Sequence, residues 1–192
     1  MPHITPEQEA REKIDQMLEA AGWVVQNNIE LNLSAGLGVA VREFQTEAGP
    51  ADYVLFVDRK AVGVIEAKKV GTTLSGVFEQ SAKYMTGFPD QIPHVEMPLP
   101  FSYESTGEET SFVNRRDPDY CSRRVFHFHK PETLLEWSQQ DETLRARLET
   151  MPEEHLLITD HLWDAQEEDI TNLEKSLAES RPRSLIQMDT GS

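Results

Sequence analysis

Cysteine is almost missing from this chain, and its single copy, Cys121, leaves no partner for an internal disulfide. No Cys/His set at zinc-ligand spacing surrounds it, so a structural zinc knuckle is excluded and Cys121 reads as a partly buried small residue. Basic charge is equally scarce. With 18 Lys and Arg against 34 Asp and Glu, the formal charge is −16. That excludes DNA binding through a general surface field, because such affinity comes from neutralising phosphates. Any nucleic-acid role must be local or borrowed from another polypeptide. Long apolar runs are lacking too: nothing approaches the roughly 20 residues of a membrane span. The opening Met1-Pro2-His3-Ile4-Thr5-Pro6 has neither the basic nor the apolar region of a signal peptide. A cytoplasmic protein without a membrane partner is expected. Neither repeats nor low-complexity tracts are present.

What is there suits one core domain with an appendage, since single domains commonly run to about 100–200 residues. A helix is expected over 5–21, with Pro6 at its start, Ile14, Met17, Leu18 and Ala21 at helical spacing, and Gly22 closing it. Val39–Phe44 alternates as a strand, and Gly49-Pro50 marks a turn. Ala51–Val57 and Ala61–Ala67 are short β-branched runs around Asp58-Arg59-Lys60, the shape of a tight hairpin. A helical pattern returns over 72–85. Strands are expected over Val95–Tyr103, Thr110–Val113 and Arg124–Phe128, then helices over 132–139, 141–149 and 163–180. Ser184–Met188 is strand-like.

The chemistry concentrates in the hairpin. Side chains of one strand alternate faces, so Glu66 and Lys68 share a face and Ala67 points away between them. In a hairpin centred on Arg59, opposed residues sum to 118, and Asp52 faces Glu66. Two carboxylates and one ammonium thereby converge among Val, Leu, Ile, Phe and Ala, where charges need partners. A hard divalent cation such as Mg²⁺, with Mn²⁺ a possible substitute, satisfies both acids, and the Ala67 carbonyl can complete an oxygen shell. Such an ion activates water while the lysine orients or deprotonates the nucleophile, a set suited to phosphodiester hydrolysis.

Pro50-Ala51-Asp52 followed by Glu66-Ala67-Lys68, within an αβββα order, resembles the PD-(D/E)xK nucleases. The proline stands one residue further from the aspartate than the family name implies. The resemblance implies a restriction-endonuclease-like α/β fold: an αβββα core with a mixed central sheet flanked by helices. It makes Asp52 and Glu66 metal ligands and Lys68 catalytic. Gln80 and Tyr84 match a Q-x-x-x-Y spacing seen in a subset of these nucleases, including type I restriction subunits, and four residues apart they share a helix face. Glu12 occupies the first helix, where such nucleases often place a further carboxylate.

Ile186-Gln187-Met188-Asp189-Thr190-Gly191-Ser192 resembles the strand and loop that lead into Gly-Lys-Thr in superfamily 2 helicases, and stops before the lysine. Gln166 stands where such motors have an adenine-reading glutamine, although Trp163, Ala165 and Asp189 depart from the usual residues. The layout resembles the motor (R) subunit of type I restriction enzymes: an endonuclease domain over 1–150, then a linker and truncated motor start over 151–192. It implies double-stranded DNA, a methyltransferase subunit and a specificity subunit as partners. ATP would bind only in a full-length protein, through Gln166, Thr190, Gly191 and Ser192, because a phosphate loop needs its lysine. Two alternatives keep the same fold: a catalytically silent docking module for partner subunits, and a DNA-repair nuclease. His127 and His129 would share a strand face, but without a third ligand they read as part of an edge strand.

Overall fold

The computed structural model describes residues 5–74, 83–154, 156–181 and 183–187. Helix α1, Pro6–Ala20, starts on a reciprocal cap: the Gln8 N–H donates to Thr5 Oγ1 and the Thr5 N–H to Gln8 Oε1. Gly22, at φ +93°, takes the left-handed conformation that ends it. Strands β1 (Val24–Asn27), β2 (Gly38–Thr46), β3 (Gly49–Val57), β4 (Lys60–Ala67), β5 (Phe101–Ser105), β6 (Thr110–Asn114) and β7 (Arg123–Val125) lie side by side in chain order in one mixed sheet. The β1–β2 and β4–β5 pairs are parallel and the others antiparallel. The chain is thus mixed α/β.

Each face of the sheet has its own apolar cluster. On one, Ile14 and Leu18 of α1 and Leu134 of α2 (Pro131–Gln139) pack on Tyr53, Leu55, Ile65, Phe101 and Tyr103. On the other, Met85, Phe88 and Leu99 cover Val41, Val54, Phe56 and Val64. The β4–β5 pairing is close at Gly63, where a Cβ would stand 2.3 Å from the Phe101 carbonyl oxygen. Two compact units emerge, residues 1–115 with 120–140, and residues 116–119 with 141–192. The second contains α3 (Leu144–Glu154) and α4 (Asp164–Ala178). No helix among the described residues is long and apolar enough to cross a membrane.

Several expectations are corrected. The hairpin turns on Asp58 and Arg59, both at positive φ (44° and 66°) as a type I′ turn requires, so pairs next to the turn sum to 117. A bulge between Leu55 and Phe56 then adds one residue on β4, and Tyr53↔Ile65 returns to a sum of 118. Strand β1 was unforeseen. The strand expected at Val95–Tyr103 starts only at Phe101, because Pro93, Pro98 and Pro100 lack the N–H groups a ladder needs. That stretch touches the sheet through an isolated parallel bridge at Ala61↔His94, with the Val95 N–H donating to the Ala61 carbonyl and the Ala61 N–H to that of Pro93. Strand β7 stops at Val125, since Phe128 and His129 turn into the core around Tyr103. His127, exposed, therefore shares no strand face with His129. The helix expected at 141–149 begins at Leu144, after Thr143, whose hydroxyl accepts from the Ala146 N–H. Residues 183–187 form no strand, and Cys121 is exposed.

Candidate active site

The β3–β4 ladder ends at Tyr53↔Ile65, and one step further the same register sets Asp52 beside Glu66. There the Ala67 N–H donates to Asp52 Oδ2 at 2.9 Å, so a carboxylate stands in for the next strand partner. Asp52 Oδ1 accepts from Arg11 Nη2 at 2.5 Å. Lys68 Nζ donates to Glu66 Oε1 at 3.0 Å, and both side chains are about as buried as Asp52 (16%, 14% and 14% exposed). The structure thus brings Asp52, Glu66, Ala67 and Lys68 to one end of the hairpin.

Burial pushes the Glu66 carboxyl above the usual range; the Lys68 hydrogen bond opposes this and the Asp52 charge reinforces it. Tyr84, half-buried beside the site, has its phenol raised first by desolvation and then by the charges of Glu66 and Asp52. Gln80, its expected companion, lies outside the described residues, as do Thr190, Gly191 and Ser192. Glu12 is exposed on α1. Gln166 is used locally: its side-chain oxygen accepts from the Trp163 N–H at the start of α4.

Two α1 residues absent from the sequence expectation reach the sheet instead. Arg11 bridges Asp52 and Glu43, the latter through Nη1 to Oε1 at 3.0 Å. Asp15, one turn on, receives Arg42 through Nε at 3.1 Å and Nη2 at 2.8 Å, and the Tyr53 hydroxyl at 2.8 Å. Burial and the Asp15 charge hold the Tyr53 phenol well above its ordinary range. Their i, i+4 spacing on either side of the buried Ile14 puts both on one helix face without saying what that face reaches. A further carboxylate, Glu104 on β5, pairs in register with Glu66 and is buried and itself partnered.

Beside the acids, Arg11, Asn27, Arg42, Glu43, Asp52 and Tyr53 line part of a cleft of about 720 Å³. Glu43, at φ +50°, stands opposite Asp52 on β2, between the pairs Arg42↔Tyr53 and Phe44↔Ala51. No cluster of three or more His, Cys, Asp and Glu able to hold a metal occurs among the described residues. The pair Asp52 and Glu66 nevertheless suits an oxygen-seeking divalent cation. Each acid is mostly buried, each already draws a cation to itself, and Glu66 carries the penalty of lying near a like charge.

Comparison with known proteins adds an independent finding. Residues 31–112 match the family model of the second domain of the type I restriction enzyme EcoKI endonuclease subunit. The EcoKI endonuclease subunit of Escherichia coli (strain K12) is 26% identical over 181 residues, covering 68% of this chain and 15% of that protein. The chain therefore spans a small part of the curated relative's length. A solved chain, "the fragment structure of a putative HsdR subunit of a type I restriction enzyme from Vibrio vulnificus YJ016", is 19% identical with a TM-score of 0.48, covering 100% of this chain and 36% of that one.

Proposed function

Starting from a chain that is a relative of the endonuclease subunits of type I restriction enzymes, we propose that its first unit is a metal-dependent DNA endonuclease domain with a PD-(D/E)xK core. The observation that carries this is the meeting of Asp52 and Glu66 at the open end of the hairpin, with Lys68 3.0 Å from Glu66. Asp52, Glu66 and the Ala67 carbonyl would hold Mg²⁺ or Mn²⁺. Once bound, such an ion would lower the pKa of water and offset charge on a phosphoryl oxygen. Lys68 then orients the attacking water with its ammonium protons, and Tyr84 donates its phenolic hydrogen bond to a phosphate oxygen from the neighbouring element. Water adds to phosphorus as the bond to one bridging oxygen breaks; the proton that the water loses passes to solvent, and the leaving alkoxide takes one up from solvent. Asp15, Arg42 and Tyr53 hold α1 against β2 and β3, and so fix Asp52 in place.

In a complete subunit, DNA translocation driven by ATP would deliver double-stranded DNA, and methyltransferase and specificity subunits would supply sequence choice. This accommodates a net charge of −16, since the domain need only receive a strand. The ion pairing of both acids favours a second reading, a silent docking module for partner subunits.

Isothermal titration of Mg²⁺ and Mn²⁺ separates the two. Asp52→Ala and Glu66→Ala are each expected to abolish the binding seen with the parent chain, and Lys68→Ala to retain it while losing plasmid nicking in Mn²⁺. Parent-like binding by both acid variants would overturn the nuclease reading and leave the docking module.

A further inference from the structure

Two arginines border the cleft beside the acids, and they are anchored differently. Arg42 is fixed by both oxygens of Asp15 and by Asn27 Oδ1 at 2.9 Å. Arg11 is held by Asp52, a candidate metal ligand, and by Glu43, whose side chain is 68% exposed. Its two terminal nitrogens therefore span an acid of the site and an acid at the cleft wall. Asp52, Glu66 and Glu43 against Arg11 and Lys68 leave the cluster at −1. A divalent cation on the two acids would leave an excess positive charge in a partly buried cluster, and Arg11, which pairs with Asp52 directly, is the cation that competes with it for that carboxylate. Its planar fork fits phosphate as well as carboxylate, and the cleft it lines also takes in Asp52.

Resting on the nuclease reading of this site, we propose that Arg11 is an exchangeable counter-ion. Its guanidinium holds Asp52 in the metal-free chain and passes to a DNA phosphate in the adjoining cleft when a divalent cation occupies the two acids. Metal and DNA then assist each other's binding, because each removes the competitor of the other, and the coupling is reciprocal. Arg11 is a positioning residue for Asp52 in one state and a phosphate contact in the other.

The test is Mn²⁺ titration of the 192-residue chain, alone and with a short phosphorothioate duplex that resists cleavage. The parent chain is expected to bind Mn²⁺ about fivefold or more tightly with the duplex present. Arg11→Gln is expected to bind Mn²⁺ alone about that much more tightly than the parent and to gain little from the duplex. Glu43→Gln, which loosens only one arm of Arg11, should shift Mn²⁺ affinity in the same direction by less, and serves if Arg11→Gln does not fold. Unchanged or weaker Mn²⁺ binding in these variants, or a full duplex effect in Arg11→Gln, would overturn the proposal and make Arg11 a fixed support. Equal Mn²⁺ binding by the parent and Asp52→Asn would instead bring down the nuclease reading itself.

Discussion

His129 shows how one buried ring ties the fold to pH. Its backbone N–H donates to the Tyr103 hydroxyl, and its Nδ1 lies 2.6 Å from the same oxygen, in a hydrogen bond whose direction follows the ring's tautomer. Burial, assisted by the Arg123 charge, lowers its pKa to about 4. An unfolded histidine takes up a proton near 6.5. Between these values the unfolded chain binds more protons, so stability falls as pH drops from about 6.5 and this contribution is gone once pH passes below about 4. Urea unfolding at pH 7.5 and pH 5 should show a smaller pH-dependent loss in His129→Gln than in the parent; an equal loss would refute the assignment. The candidate site was partly legible at this scale. Glu66 and Lys68 could be placed because strand alternation is strict, whereas counting from the true turn sets Asp52 opposite Ile65, and only the bulge, which no residue pattern announced, restores its meeting with Glu66. Arg11 and Asp15 could not be placed, since reaching across from a helix depends on packing that spacing alone does not set. Glu104 was hidden for a related reason: its burial follows from a parallel neighbour far along the chain.

The hairpin is the element on which the site depends, and its turn carries avoidable strain. Asp58 and Arg59 both sit at positive φ, where a side chain costs on the order of 1 kcal/mol per residue relative to glycine. Replacing the pair by Asn-Gly should raise the unfolding free energy by about 1 kcal/mol, read as a higher urea midpoint with an unchanged slope. Conversely, Gly63→Ala should cost about 1–3 kcal/mol, because the new methyl meets the Phe101 backbone rather than a side chain that can yield. Its thermal midpoint should fall, and an unchanged midpoint would mean that β4 and β5 can separate. Helix α1 and strands β2 to β4 were readable because their apolar periods run unbroken. Strand β1 was not: its four residues pair in parallel with β2, and so short a segment carries too few alternations to stand out. Proline spacing should have shortened the strand before Phe101, a signal present but outweighed by the apolar residues between.

Charge acts on the whole molecule. An excess of 16 acids over bases repels itself in any compact state, and salt screens that repulsion over about 10 Å at 0.1 M. Raising NaCl from about 0.05 to 0.5 M should therefore raise the thermal midpoint, whereas a domain held mainly by exposed ion pairs would show a fall. The two compact units divide at Gln140, a boundary that composition did not mark, since acidic helices lie on both sides of it. The bulge in β4 bears on how chains of this kind are compared. Val62 is the extra residue between Ala61, which faces Phe56, and Gly63, which faces Leu55. A relative without it would keep every pair on the far side of the hairpin, including the two acids, while being one residue shorter. Thirteen residues separate Asp52 from Glu66 here, and twelve would serve equally well. The distance between the acids along the sequence is thus free to change by one while their meeting in space is not, and a pattern with a rigid gap would pass over functional equivalents.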